Sequence, residues 1–229
     1  MHKFYPIFSV ANQIFHGKSL TRLLFNLALR QHSISGKILD IGSKNGKGSY
    51  YKYLNVDKRS EITHTDRIES DGVVSLNVEK KFPFPDESFD VVLAFHLFEH
   101  VYIYQVAPAE IFRILRKGGR VLIAMPFMHE YHADFDDYFR FTDSALLRLW
   151  EDVGFQSIHM EAIGEGILTK CATKLPVLIM PPWMRSWSST LLYLLSTPFD
   201  RLISYRPRID GKTVPERFAL EHFAIFQKN

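Results

Sequence analysis

The first 35 residues place apolar side chains at helical spacing (Leu20, Leu23, Leu24, Leu27) and end in a Ser33, Ser35, Gly36 break, which predicts one or two helices ahead of the main domain. From Lys37 the pattern changes. Ile38, Leu39 and Ile41 form a short apolar run that stops at Gly42, and the segment from Gly48 to Leu54 suits a helix, so a strand, a turn and a helix are expected. A second strand is predicted over Glu61 to Thr65, stopping at Asp66. Phe89 to Phe95 is the clearest buried strand, because Val91, Val92, Leu93 and Ala94 are continuously apolar. Pro108 to Leu115 reads as a helix with Pro near its start and Gly118-Gly119 past its end. Val121 to Met125 is the next strand, closed by Pro126. Thr142 to Val153 follows as a helix, with Thr142 as N-cap, a face of Leu146, Leu147, Leu149 and Trp150, and Gly154 at its end. Strand and helix therefore alternate over 37–160, which argues for an α/β protein with a mostly parallel sheet covered on both faces. Residues 170–215 break the alternation with Pro176, Pro181, Pro182, Trp183, Trp187 and a Leu191–Leu195 cluster, and Phe223 to Phe226 supplies a last strand. The expected organisation is a helical cap over 1–36 and a main domain over 37–229 carrying a helical, hydrophobic insertion at about 170–215.

Composition narrows this picture without redirecting it. A chain of 229 residues with 46% hydrophobic and 23% charged side chains suits one globular domain rather than a disordered or fibrous chain. The net charge of +3 is mildly basic and the Lys and Arg residues are scattered, so no nucleic-acid partner is implied. The single cysteine, Cys171, excludes an internal disulfide framework and a multi-cysteine zinc site. Met1 to Ser9 does not read as a secretion signal, and a cytoplasmic chain, monomer or homodimer, is the expectation.

Candidate chemistry begins at Asp40-Ile41-Gly42-Ser43-Lys44-Asn45-Gly46, at the end of the first strand. Glycines there let the backbone approach a ligand, a following helix N-terminus offers amide donors, and an acid just before them suits a cationic group. The same residue types also serve merely to bend and cap a strand-to-helix turn. Asp66 follows the second strand, about twenty residues on, where a carboxylate can accept ribose hydroxyls. A dinucleotide fingerprint starting at Gly42 needs glycines at 44 and 47, where Lys44 and Lys47 stand, so NAD binding is disfavoured.

Four further segments follow in order: Asn77-Val78; Phe82-Pro83-Phe84-Pro85-Asp86-Glu87-Ser88-Phe89-Asp90; Glu99-His100-Val101; and Ile111 to Gly119 with its Leu115-Arg116-Lys117-Gly118-Gly119 ending. Together with the glycine turn, over about residues 37–160, they resemble the class I S-adenosylmethionine-dependent methyltransferases, in a type 11-like subgroup. The resemblance implies a Rossmann-like, doubly wound, mostly parallel seven-stranded sheet with helices on both faces, and S-adenosyl-L-methionine as cofactor. It implies that Asp40, Gly42, Ser43 and Gly46 hold the methionine end, Asp66 the ribose, and Asn77 and Val78 the adenine edge, with Phe95 and His96 lining the floor of the site. Lys44 departs from the family's middle glycine, and Asn77 stands where an acid is usual.

Transfer of a methyl group from a sulfonium asks the protein mainly for alignment and desolvation, and for a base only if the acceptor must lose a proton. Phe95-His96-Leu97-Phe98 stands where amino methyltransferases of nucleic acids and proteins carry an Asn-Pro-Pro-Tyr motif, which favours an oxygen acceptor: a small molecule, a sugar or a lipid-linked glycan. The loop after the fifth strand, Pro126 to Thr142, is dense in titratable groups, and His132 or His129 is the candidate base. The structural alternative pairs Asp137 with Arg140 and uses Thr142 as a helix cap. His129, His132, Asp134 and Asp136 lack a metal-specific spacing, so no metal is expected; Glu99 and His100 are read as orienting the cofactor loop. No apolar run reaches the roughly eighteen residues that span a bilayer. Trp183, Trp187 and Leu191 to Leu195, flanked by Arg185, Arg201, Arg206 and Arg208, fit a lid or dimer face, or a peripheral membrane contact. The alternative function is a non-catalytic methyltransferase-like binding or regulatory subunit.

Overall fold

The computed structural model describes residues 5–43, 48–132, 136–204 and 214–229. In chain order the elements are α1 (Ile7–Phe15), α2 (Leu20–Leu29), β1 (Ser33–Ile34), β2 (Lys37–Ile41), β3 (Asn55–Val56), β4 (Glu61–Asp66), β5 (Val73–Ser75) and β6 (Phe89–Phe95). They continue with α3 (Val106–Ile114), β7 (Leu115–Pro126), α4 (Asp143–Glu151), β8 (Phe155–Ile163), α5 (Ile167–Ile179), α6 (Pro182–Ser204), α7 (Val214–Arg217) and β9 (Glu221–Lys228). Seven strands form one sheet in the order β5-β4-β2-β6-β7-β9-β8, while β1 and β3 make a separate two-stranded pair. The pairings β2–β4, β2–β6, β4–β5 and β6–β7 are all parallel. The sheet order reverses at β2, whose neighbours are β4 on one side and β6 on the other, and such switch points open a crevice at the carboxyl ends of the strands. This is the doubly wound α/β sheet that the alternation of strand and helix predicts.

The described residues of 1–28 and 162–221 make one compact unit, and those of 29–161 and 222–229 another. In the second unit the core gathers Leu39 and Ile41 of β2, Val92 and Ala94 of β6, Ile111 and Ile114 of α3, Val121 and Ile123 of β7, and Trp150 of α4. Strands enclosed on both faces have no polar side to show, which is why β6 is unbroken apolar sequence from Val91 to Phe95. Trp150 stacks on Phe226 of β9 with centroids 5.6 Å apart, and Thr142 caps α4 by accepting from the Ala145 amide at 3.2 Å. In the first unit, α5 and α1 both pack on α6. Asp200 of α6 caps the start of α5, accepting from the amides of Leu168 (3.2 Å) and Thr169 (2.6 Å). Beside it, Arg201 forks onto the buried Glu165 carboxylate at 3.0 and 2.7 Å.

Two segments differ from the sequence pattern. The described part of the 48–54 stretch is a four-residue 3-10 turn, Ser49–Lys52, not an α-helix. Asn55 and Val56 pair with Ser33 and Ile34 straight after it, so the chain must return to extended backbone at once. Strand β7 begins six residues before Val121, because Leu115 pairs with Phe89 before the register slips between Phe89 and Val91. Gly118, at φ +78°, and Gly119, where a Cβ would meet the Arg116 carbonyl oxygen at 2.8 Å, allow that irregularity. A glycine pair that looked like a helix stop is a bulge inside a strand.

Candidate active site

The glycine turn leaves β2 through Gly42, whose φ of +74° favours a residue without Cβ. The amides of Gly42 and Ser43 both donate to the Thr65 carbonyl, at 2.9 and 3.1 Å, which ties the turn to the end of β4. Asp40 is buried, and its Oδ2 accepts from the Tyr50 hydroxyl at 2.8 Å and from the Tyr51 hydroxyl. Burial pushes both phenols far above their usual range, with the Asp40 charge adding to it, so both remain donors to the carboxylate. Asp40 Oδ1 and the Ser43 hydroxyl are buried without a hydrogen-bond partner among the described residues. Gly46 and Lys44 lie outside the described residues.

A cavity of about 210 Å³ opens beyond the carboxyl ends of these strands. Its wall brings together Gly42, Asp66, Asn77, Val78 and His96 from the predicted set. Asp66 ends β4, and its carboxylate accepts from the Arg67 amide at 2.7 Å. Asn77 Oδ1 accepts from the Glu79 amide at 2.9 Å, an Asx turn that fixes the backbone around Val78. His96, at φ +51°, turns the chain off β6 while its amide donates to the Ala124 carbonyl at 2.8 Å. Asp40, Ser43, Phe95, His129 and His132 are not on this wall. Phe95 is buried instead, its ring edge-on to Tyr50 at 5.1 Å.

The far side of the cavity is built by the 3-10 turn Phe98–His100 and the loop after β7. The Glu99 carbonyl accepts from the Tyr138 amide at 2.7 Å, and Asp136 joins His100 on the cavity wall. Asp137 and Arg140 form a two-pronged ion pair, Nη2 to Oδ2 at 2.6 Å, and Asp137 also accepts from the His132 amide at 2.8 Å. The Arg140 guanidinium, bonded to Asp137, holds that carboxyl well below the usual carboxylate range. Arg140 donates as well to the Glu130 carbonyl at 3.1 Å, so the pair is the frame of the loop. His129 and His132 stand on that frame with ring centroids 4.6 Å apart, and His132 lies 5.2 Å from His100, edge to face. Glu99 is 1% exposed, and burial raises its pKa.

Residues 39–123, which contain the glycine turn, Asp66, Asn77, Val78 and His96, match the methyltransferase domain family. Over that stretch, somewhat more than a third of the chain, the protein carries a methyltransferase domain. The cofactor of this family is S-adenosylmethionine. Among curated protein sequences none matches the chain. A solved S-adenosylmethionine-dependent methyltransferase from Thermotoga maritima is 14% identical, with a TM-score of 0.55 over 95% of this chain and 92% of that one. The methyltransferase solved with the Haloferax volcanii Trm112 methyltransferase activator is 14% identical, TM-score 0.54, over 96% of each chain. An S-adenosylmethionine-dependent methyltransferase from Mesorhizobium loti is 14% identical, TM-score 0.52, over 88% of this chain and 96% of that one. At such identities these structures share the methyltransferase's fold.

Several wall residues have no sequence signature of their own. Leu76, Glu79, Leu97 and Tyr138 reach the cavity only because the sheet brings three loops together. The Tyr50-Tyr51 pair, placed ten residues after the buried acid, is a signal that could have been read: two adjacent phenols can satisfy one carboxylate oxygen.

Proposed function

We propose that the methyltransferase holds S-adenosylmethionine along the cavity at the ends of β2, β4 and β6 and methylates an oxygen atom of a small-molecule, sugar or lipid-linked glycan acceptor. The observation that carries the cofactor placement is the convergence of Gly42, Asp66, Asn77, Val78 and His96 on one cavity. In this reading Asp66 accepts the ribose hydroxyls, and Asn77 and Val78 border the adenine. Asp40, Gly42, Ser43 and Gly46 receive the methionine end, with Phe95 backing the site and His96 forming its floor. The residues fit the group: Asp40 Oδ1 and the Ser43 hydroxyl, both buried and unpartnered among the described residues, suit an ammonium and a carboxylate respectively. Asn77 keeps a second lone pair on its engaged oxygen and both amide hydrogens for adenine.

The bound cofactor supplies an electrophilic methyl group on a sulfonium. The chain's own task is to desolvate and align the acceptor and to take its proton. His129 and His132, set on the Asp137–Arg140 frame next to His100, are the bases available beside the cavity. Calorimetry with S-adenosylmethionine and S-adenosylhomocysteine tests the placement: binding is expected, and Asp66→Ala should weaken it by roughly 100-fold, the worth of two charge-assisted hydrogen bonds. Unchanged affinity in that variant rules out the ribose site. Acceptors are then screened with a radiolabelled methyl donor.

A lipid-linked acceptor is supported by the first unit. Trp183, Trp187, Leu178, Leu191, Phe199 and Leu202, all on α5 and α6, are each more than half exposed. Among the described residues no helix is long and apolar enough to cross a membrane. In this reading the two helices lie on a membrane surface, apolar side down.

A further inference from the structure

Glu99, His100 and His132 each offer one ligand atom, and these atoms lie within 4.8 Å of one another. The carboxylate of Glu99 is the unusual member. It is buried in the middle of the turn after β6, and neither of its oxygens has a hydrogen-bond partner in the described structure. A buried carboxylate with both oxygens unpartnered is costly unless a cation or a proton comes to it.

The imidazoles show which it is suited to. His100 Nδ1 meets the Asp136 carbonyl oxygen, an acceptor only, so Nδ1 carries the hydrogen. In the neutral ring the Nε2 lone pair then faces Glu99 Oε1 at 3.7 Å, acceptor against acceptor. His132 is held in the same sense. Its Nδ1 faces two acceptors, the Glu130 carbonyl at 3.3 Å and Asp137 Oδ2 at 3.6 Å, which leaves its Nε2 as the lone-pair donor. An imidazole whose far nitrogen is fixed by a carbonyl or carboxylate is the usual outer arrangement of a metal-ligating histidine.

We infer that Glu99, His100 and His132 form a binding site for one divalent first-row transition cation, with two imidazole nitrogens and a carboxylate as its protein ligands. The donor set is mixed and borderline, which suits Mn²⁺, Fe²⁺ or Zn²⁺ better than Ca²⁺, and three protein ligands leave positions open. No spacing along the chain announces this trio, since His132 stands far from Glu99 and His100 and the loop framed by Asp137 and Arg140 returns it to the turn after β6. His100 is also a wall residue of the cofactor cavity. The ion's role rests on the oxygen-acceptor reading above: an acceptor hydroxyl at an open position would be held beside the cavity and acidified, its proton passing to His129, since His132 then serves as a ligand. The site itself does not depend on that reading.

The test is binding of the metal alone to the full chain, freed of ions by chelation. Mn²⁺ titration followed by the electron paramagnetic resonance of the free aquo ion should show one ion per chain. Glu99→Gln, close in shape, and His132→Ala, on the half-exposed loop, should each weaken binding by roughly 10- to 100-fold or more. Absence of Mn²⁺ binding by the wild-type chain, or equal binding by Glu99→Gln, overturns the site. S-adenosylmethionine affinity of the same samples is measured by calorimetry. Retained cofactor binding in Glu99→Gln shows that a lost ion is not a lost fold. A wild-type chain that binds Mn²⁺ without S-adenosylmethionine sinks the cofactor placement and supports the metal site.

Discussion

The Arg113 guanidinium closes on the Glu110 carboxylate, Nη2 to Oε2 at 2.6 Å, one turn earlier on the same helix. From that position it donates to the carbonyls of Phe82 (3.1 Å) and Phe84 (2.9 Å) and to Asp86 (2.7 Å), while Glu110 accepts from the Phe82 amide at 2.8 Å. The Phe82–Asp90 block, the most specific family signal in the chain, is thus a clasp between α3 and the segment entering β6, and does not reach the cavity at the strand ends. Arg113→Ala should remove several bonds at once and leave Glu110 without its cation. The expected cost is about 2–3 kcal/mol of unfolding free energy in urea titration, with S-adenosylmethionine affinity of the folded fraction unchanged.

The same pair sets an acid dependence. The Arg113 guanidinium, bonded to Glu110, holds that carboxyl below its ordinary value. A carboxylate depressed in the folded state contributes stability above its unfolded pKa and loses it as the pH falls through the folded value. The stability difference between wild type and Glu110→Gln should therefore be full at pH 7, shrink below about pH 4.5, and vanish in stronger acid. A difference that stays constant from pH 7 to pH 3 would show that the carboxylate charge is not what holds the clasp.

Gly36 makes a sharper structural case. Its φ is +92°, and a Cβ there would meet Asp90 Oδ2 at 2.3 Å. That oxygen accepts from the Lys37 amide at 2.7 Å, and Asp90 Oδ1 accepts from Arg116 at 2.8 Å. Gly36→Ala must either move the Asp90 side chain off Lys37 or shift the start of β2. We expect a loss of about 2 kcal/mol or more, combining the backbone penalty with the broken bond. Thermal unfolding of this variant alongside Asp90→Asn separates the two: if Asp90→Asn is as damaging, the bond and not the backbone carries the effect.

What the sequence made legible follows from which interactions are local. β6 and α4 could be read directly, since an apolar run and a Thr142 cap depend on neighbours a few residues away. The cavity residues Gly42, Asp66, Asn77, Val78 and His96 were legible through ordered motifs, each placed at the end of a strand or in the loop just after one. Hidden were the features made by distant partners. The bulge at Gly118 depends on Phe89, and the approach of His132 to Glu99 depends on the 136–140 loop. The pairing of Asp137 with Arg140, three residues apart, was legible as the structural alternative for this loop, and the two side chains do bond each other.

The exposed tryptophans of α6 give the membrane reading a direct probe. Of the three tryptophans in the chain, Trp150 is fully buried against Phe226, whereas Trp183 and Trp187 are 76% and 68% exposed. A change in emission on adding vesicles therefore reports α6 and not the core. With phosphatidylglycerol vesicles we expect a blue shift and co-sedimentation, both weaker on neutral phosphatidylcholine vesicles because Arg185 and neighbouring basic residues add attraction to an anionic surface. Trp183→Ser should lower partitioning by about tenfold, or about 1.4 kcal/mol, without changing thermal stability, since an exposed ring contributes little to folding. An unshifted spectrum and a protein that stays in the supernatant with both lipids exclude the membrane surface, and the apolar faces of α5 and α6 then require a protein partner or a second copy of the chain to cover them.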